Sequence, residues 1–148
     1  MITFALEKMA DIVDEIRPLH LEQWQETEGY RGDIPFNPDY KRYIDFSNID
    51  YYLIYAARQD GKLVGHLSLY VTQSMHTQTL LAQEDTLFLT HSVRGGRTAY
   101  RLFQFVEADL KRRGVKELYC SVKAGAKSKA LLEFMGCQHV ADMLHKLL

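Results

Sequence analysis

The stretch Thr86–Arg101, TLFLTHSVRGGRTAYR, passes from an apolar, strand-like run through two adjacent glycines into a helical pattern, and gathers Arg94, Arg97 and Arg101 at the junction. Glycines where a strand becomes a helix let main-chain N–H groups come close to a ligand. The first helical turn adds unpaired donors and the positive end of a dipole. Such a junction suits a phosphate or pyrophosphate, with the arginines as charged partners. The pattern is neither a GxxxxGK[ST] loop nor a GxGxxG fingerprint, so neither ATP hydrolysis nor nicotinamide binding follows from it.

Working outward, Ile2–Leu6 reads as a short strand, and Met9, Ile12, Val13 and Ile16 recur at helical spacing from Lys8 onward. Pro18 is expected to break or kink that helix, with a second helical piece through Leu19, Leu21 and Trp24 fading toward Gly29. Gly29–Asn48, which holds Pro35 and Pro38, reads as a long loop suited to a substrate-facing flap or a connector. Tyr51–Ala57 and Lys62–Thr72 flank the turn signal Asp60-Gly61, so they form a hairpin, with Leu63, Leu67, Leu69 and Val71 expected on one side. A third strand is expected between Leu80 and Thr90. After it, Ala99, Leu102, Phe103, Val106 and Leu110 mark one face of a helix that Gly114 ends. Val115–Val122 is strand-like, Ala126–Met135 is a second helix stopped by Gly136, and His139–Leu147 reads as a last strand. The order predicts an α/β (α+β) fold, a mixed sheet covered by helices, in a single domain over residues 1–148.

The 148 residues, 47% of them apolar, suffice for one core. The chain has no run of eighteen uncharged apolar residues, and MITFALEKMADIVDE lacks the basic-then-apolar order of a signal peptide. Cys120 and Cys137 have neither CxxC spacing nor a cysteine framework around them, so free thiols and a cytoplasmic, membrane-free setting are expected. The net charge of −1 conceals an asymmetry: residues 1–50 carry five Lys/Arg against eleven Asp/Glu, and residues 94–129 carry ten against three. This split reads either as solvated faces or as an anion on the later half and a cation near the earlier one.

The segment Leu87–Ala99, followed by Leu102, Phe103 and a helix ending at Lys111-Arg-Arg-Gly114, resembles the acetyl-coenzyme A signature of the GNAT superfamily of N-acetyltransferases. In that family an apolar strand leads through a short loop to Arg/Gln-x-x-Gly-x-Gly/Ala at a helix start. Arg94 matches the first position and Ala99 the last, while Arg97 stands where glycine is usual, with Gly95 and Gly96 beside it. Val115–Val122 looks like the family's fifth strand and Ala130–Cys137 like its next helix. Leu132 occupies a position where members often carry a tyrosine that acts as general acid, and no asparagine lies between Val122 and Ala130.

The resemblance implies a GNAT-like, mostly antiparallel sheet flanked by helices. It also implies transfer of an acetyl group from acetyl-coenzyme A to an amine by direct attack in a ternary complex, with no metal. The phosphates would lie on Arg94, Gly95, Gly96, Arg97, Thr98 and Ala99, and the pantetheine arm on the main chain of Leu87, Phe88 and Leu89. An amine nucleophile needs a proton acceptor. By the family's spacing that acceptor lies early in this strand, which makes Asp85 the first candidate and Glu84 the second. Strand alternation would put Asp85 on the face of Leu87 and Leu89, and Glu84 opposite. Both carboxylates also read as solvated strand-start groups. His91 is a third candidate, as a base or as a polar loop residue beside the phosphates.

The remaining histidines, at 20, 66, 76, 139 and 145, show no ligand spacing for a metal. Tyr51, Tyr52, Tyr55 and Tyr70 read as sheet-packing residues, any of which supplies the missing acid only by projecting into the cleft, and Tyr30, Tyr40 and Tyr43 read as surface-loop residues or as the lining of an acceptor pocket. A small-molecule or protein amine of cationic character would be drawn to Glu22, Glu26, Glu28 and Asp33. Val140–Leu148, as an apolar edge strand, would pair with a second copy in a homodimer. Two rival readings stand beside the transferase: a coenzyme-binding regulatory module without catalysis, and nucleic-acid binding through Arg94–Lys129. Against the second, the only dense basic run is Lys111-Arg-Arg113 and no stacking motif accompanies it.

Overall fold

The computed structural model describes residues 1–148. Five strands, β1 (Ile2–Glu7), β2 (Tyr52–Gln59), β3 (Lys62–Gln73), β4 (Leu80–Leu89) and β5 (Val115–Tyr119), form one sheet in the order β1-β2-β3-β4-β5. The first four run antiparallel, and β5 joins β4 in parallel. Four helices cover it: α1 (Met9–Thr27), α2 (Tyr40–Asn48), α3 (Thr98–Arg112) and α4 (Ser128–Phe134). One face of the sheet packs Leu67, Leu69 and Leu89 against Leu102, Phe103, Val106 and Leu110 of α3 and Leu132 of α4. The other packs Tyr52, Ile54, Ala56 and Phe88 against Met9, Ile12, Ile16 and Leu19 of α1, with α2 alongside.

Pro18 neither breaks α1 nor divides it in two; the helix is continuous from Met9 to Thr27. Proline lacks the N–H that would reach the Asp14 carbonyl, but both residues lie on the exposed side, where water can satisfy that oxygen. Meanwhile Met9, Ile12, Ile16 and Leu19 are all buried. At about 1.5–3 kcal/mol for each large apolar side chain, that burial outweighs a proline penalty of about 3 kcal/mol.

The expected loop Gly29–Asn48 also contains a helix. A single 3₁₀ turn at Gly29–Arg31 leads into an extended connection, and α2 then begins behind Asp39, whose Oδ1 accepts the Arg42 N–H at 3.0 Å. The far end of α2 returns to the start of α1, where the buried Ser47 Oγ accepts the Met9 N–H at 3.0 Å and replaces a local cap.

Two bulges change which face side chains occupy. In β3, Ala57 pairs with Gly65 and Arg58 with Leu63, leaving Val64 as the extra residue. Leu63 therefore packs with Met9 and Ile12, while Leu67, Leu69 and Val71 face α3, so the four do not share one side as alternation predicts. In β4, Ser68 pairs with Thr86 and Leu69 with Glu84, leaving Asp85 unpaired. Gly65 permits the close β3–β4 contact, since a Cβ there would stand 2.6 Å from the Phe88 carbonyl oxygen.

The expected last strand is absent: His139–Leu148 has no regular structure. Its apolar residues, Val140, Met143, Leu144, Leu147 and Leu148, do not alternate with period two, and they are exposed. The tail instead returns to the α1–α2 connection, where His145 meets Tyr30 edge-on at 4.8 Å between centroids. The edge strand on which a homodimer was expected is therefore missing. No helix is long and apolar enough to cross a membrane.

Candidate active site

β4 and β5 pair only from Leu80 to Gln83 on β4, and beyond that point β5 no longer bonds to β4. Glu84 sits at the fork. Its Oε2 accepts the Ser121 N–H at 3.2 Å, with the Ser121 hydroxyl at 3.4 Å, so a carboxylate stands where the next ladder bond would be. From Thr86 to Leu89, β4 stays bonded to β3 on one side and has no strand on the other. This leaves the main-chain groups of the Leu87–Leu89 edge that point away from β3 open to an extended ligand, apart from the Leu89 carbonyl, which Arg94 Nε occupies.

Past Leu89 and a 3₁₀ turn at His91–Val93, the chain reaches the glycine loop. The N–H groups of Gly95, Gly96, Arg97, Thr98, Ala99 and Tyr100 donate to nothing in the protein, and α3 starts at Thr98 without a side-chain cap. Gly95 has φ +80°, a conformation that favours glycine. A Cβ built at either Gly95 or Gly96 meets no atom within 4 Å. Six consecutive unpaired donors at a helix start, opening on free space, form a main-chain anion cradle.

The three arginines divide their work. Arg94 turns to α1: Nε donates to the Leu89 carbonyl at 2.6 Å, and Nη1 and Nη2 donate to Glu26 at 2.6 and 2.8 Å. Arg101 lies over the Phe4 ring, 5.4 Å from its centroid. Arg97 and Arg101 are both exposed and make no ion pair, so their charges are available to an anion, with Arg97 next to the glycines. His91 is exposed and lies near the Arg94–Glu26 pair, where its positive form favours ionised Glu26.

Asp85, the bulged residue, points the opposite way from the alternation prediction. Glu84 pairs with Leu69 and so shares the α3 face with Leu87 and Leu89, whereas Asp85 turns to the α1–α2 face and accepts a hydrogen bond from Tyr52 Oη at 2.7 Å. The extra residue in β4 breaks the period of two at this point. Burial raises the Glu84 pKa to about 7, opposed by the Ser121 hydrogen bonds. Asp85, unlike Glu84, is exposed; the protein packed around its carboxyl still raises its pKa, opposed by the Tyr52 bond.

Asp85 is surrounded by Tyr43, Tyr52 and Tyr70, whose rings lie 5.1 Å (Tyr43–Tyr52) and 4.9 Å (Tyr52–Tyr70) apart. Burial, then the Asp85 charge, holds the Tyr52 phenol well above its ordinary value and pushes that of Tyr70 up to about 12. These phenols therefore act as donors that keep their protons. Leu132, at the position of the family's acid, is buried in the core under α3.

The charge asymmetry resolves into pairs between the two halves of the chain. Glu26 binds Arg94, and Glu28 meets Lys123 Nζ at 2.8 Å and Arg31 at 3.6 Å. Two of the four acidic residues expected to attract a cation are thus already neutralised. Sequence reading named Glu28 and Tyr43 on the acceptor side but missed Arg31, Ser121 and Lys123 as neighbours of the fork, because these come from segments far apart in the chain. Asp39 after Pro38, a helix-start signal, is the cue that could have placed Tyr43 on a helix rather than in a loop. No cluster of three or more His, Cys, Asp or Glu side chains is placed to hold a metal ion.

Solved structures share this architecture. A ribosomal-protein-alanine N-acetyltransferase from Brucella melitensis biovar Abortus 2308 matches with TM-score 0.73 at 21% identity, over 99% of this chain and 98% of that one. An aminoglycoside acetyltransferase from an uncultured soil metagenomic sample matches with TM-score 0.79 at 15% identity, over 100% and 99%. A predicted acetyltransferase with acetyl-CoA from Clostridium acetobutylicum matches with TM-score 0.73 at 12% identity, over 99% and 96%. No curated protein matches the chain by sequence. At such identities the shared feature is the fold, and the sequence itself carries the assignment: the model of the acetyltransferase (GNAT) family matches residues 9–136, from the first residue of α1 to the glycine that ends α4. The chain belongs to the GNAT family of acetyltransferases.

Proposed function

We propose that the protein transfers an acetyl group from acetyl-coenzyme A to an amine by direct attack in a ternary complex. The observation that carries this reading is the run of six unpaired N–H groups from Gly95 to Tyr100, open to free space beside the unpaired edge of β4. The cradle and Arg97 would hold the pyrophosphate, and the main chain of Leu87–Leu89 the pantetheine arm. The coenzyme supplies the acyl group as a thioester.

The acceptor amine then approaches from the α1–α2 face. There Asp85 Oδ, held by Tyr52, takes the proton that the nitrogen releases as it attacks. Glu84 faces the other way and is bonded to Ser121, which suits it to holding the fork open. With Leu132 in the acid's position, the coenzyme sulfur leaves as thiolate, which a thiol pKa of about 8.5 allows near neutral pH. The acceptor is an amine of a small molecule or of a protein.

The test follows thiol release from acetyl-coenzyme A against a panel of primary amines and amino-terminal peptides, with wild type and Asp85→Asn. Amine-dependent release that drops by about 10²-fold or more in the variant is the expected result. Release from no amine, with the coenzyme bound, would support the non-catalytic coenzyme-binding module instead.

A further inference from the structure

The transfer scheme leaves unused a line of polar groups buried on the α1–α2 face. His66 and Ser68 of β3 are both 0% exposed, and Tyr52 of β2 is 1% exposed. His66 Nδ1 lies 3.0 Å from Ser68 Oγ and Tyr52 Oη lies 2.7 Å from Asp85 Oδ2; between these two bonded pairs the Ser68 hydroxyl bears on the Tyr52 phenol and favours its charged form. Alternation places these groups together: His66 and Ser68 point to the same side of β3, and Ser68 is one diagonal from Tyr52, which pairs with Tyr70. The bulge turns Asp85 onto this face at the end of the line.

The line has a direction. An ionised carboxylate only accepts, so Tyr52 must donate to Asp85, which leaves the phenol oxygen free to accept from Ser68 and the Ser68 oxygen free to accept from His66. His66 Nε2 is buried without a partner. A bare lone pair is better tolerated there than an orphaned N–H, which places the ring proton on Nδ1; the two bonded pairs join into one line when the Ser68 hydroxyl turns to the Tyr52 oxygen. The nearest titratable neighbour of His66 is His20 of α1, ring to ring at 5.2 Å, which bonds through Nδ1 to Tyr40 Oη of α2 at 3.1 Å. Burial lowers the His20 pKa to about 4 and that of His66 well below its ordinary value, so both rings are neutral near pH 7.

We propose that His66 and Ser68 are positioning residues: through Tyr52 they fix the Asp85 side chain toward the acceptor face and hold its carboxylate at the end of a one-way line of hydrogen-bond donors. The inference rests on Asp85 being the base of the proposed transfer. Other groups also bear on Asp85, namely Tyr43 of α2, Tyr70 of β3, Glu28 at the end of α1, Arg31 of the following turn, and Glu84 and Thr86 of β4. Partial desolvation by the protein around it and Glu28 raise the pKa of this exposed carboxyl, whereas Tyr52, Thr86 and Arg31 lower it. Removing the donors behind Tyr52 therefore lets it rise further.

The test needs no acceptor. Long-range ¹⁵N–¹H spectra of the full chain report the His66 tautomer, and ¹³C carboxyl titration, assigned with Asp85→Asn, reports the Asp85 midpoint. The expected results are a neutral ring protonated on Nδ1 and an Asp85 midpoint raised by about half a pH unit or more in Ser68→Ala and His66→Phe. His66→Asn, whose amide N–H stands in for Nδ1–H, should return the midpoint to the wild-type value. If His66→Phe does not fold, the conservative Ser68→Ala decides. A proton on Nε2, or an unmoved Asp85 midpoint in folded Ser68→Ala, overturns the proposal. Failure of wild type to acetylate any amine overturns the transfer reading and leaves these titrations unchanged, so the two failures are distinguishable.

Discussion

On the α3 side of β4 the candidate site is made of main chain, with the free edge at Leu87–Leu89 and the six N–H groups from Gly95 to Tyr100. On the α1–α2 side it is made of side chains brought from β2, β3, β4 and α2: Tyr52, Ser68, Asp85 and Tyr43. On the proposed reading the main chain would hold phosphates and amides, and main-chain donors tolerate changes of sequence provided glycine stays where space is needed. On that reading the side chains would select and activate the acceptor. Breaking one side should therefore leave the other intact.

The largest separation is expected from Asp85→Asn, which should lower kcat/KM by about 10²–10⁴-fold with coenzyme affinity unchanged in titration calorimetry. Gly96→Glu should do the reverse. It places a negative side chain in space that is now open, at a residue whose φ is not positive, and should weaken acetyl-coenzyme A by about 100-fold with an unchanged melting temperature.

Glu84 stands between the two sides, and its effect should appear in stability. Folding raises its pKa from 4.5 to about 7, so its contribution is whole below about pH 4.5 and is lost as pH rises through about 7. Glu84→Gln, which keeps an acceptor for Ser121, should then be more stable than wild type by about 3 kcal/mol at pH 8 and nearly equal to it at pH 4.5 in urea titrations. The smallest effect belongs to Glu26→Gln. The Arg94–Glu26 pair is partly exposed, with side chains 30% and 37% accessible, and its loss should cost about 1 kcal/mol or less, most of it abolished by salt.

The same division explains what was legible in the sequence. The strand, glycine loop and helix from Thr86 to Leu110 form one continuous segment whose signals are local, and the structure keeps its order with small changes of boundary. Asp85 was legible as a candidate but not in its direction, because one unpaired residue in β4 reverses alternation and nothing local marks a bulge at Glu84-Asp85. The continuity of α1 through Pro18 depends on burial of Met9, Ile12, Ile16 and Leu19, a tertiary effect that local propensity opposes. The charge split was visible as a count, but its meaning depended on pairs far apart in the chain, Arg94 with Glu26 and Lys123 with Glu28. The tail misled because its composition is apolar while its spacing is not that of a strand.

The central claim is that the glycine loop is the coenzyme site, and calorimetric titration of acetyl-coenzyme A into wild type and Gly96→Glu tests it most directly. The account predicts binding by wild type that falls by about 100-fold in the variant while both proteins melt at the same temperature. Equal affinity in the two folded proteins, or no binding by wild type, would contradict it.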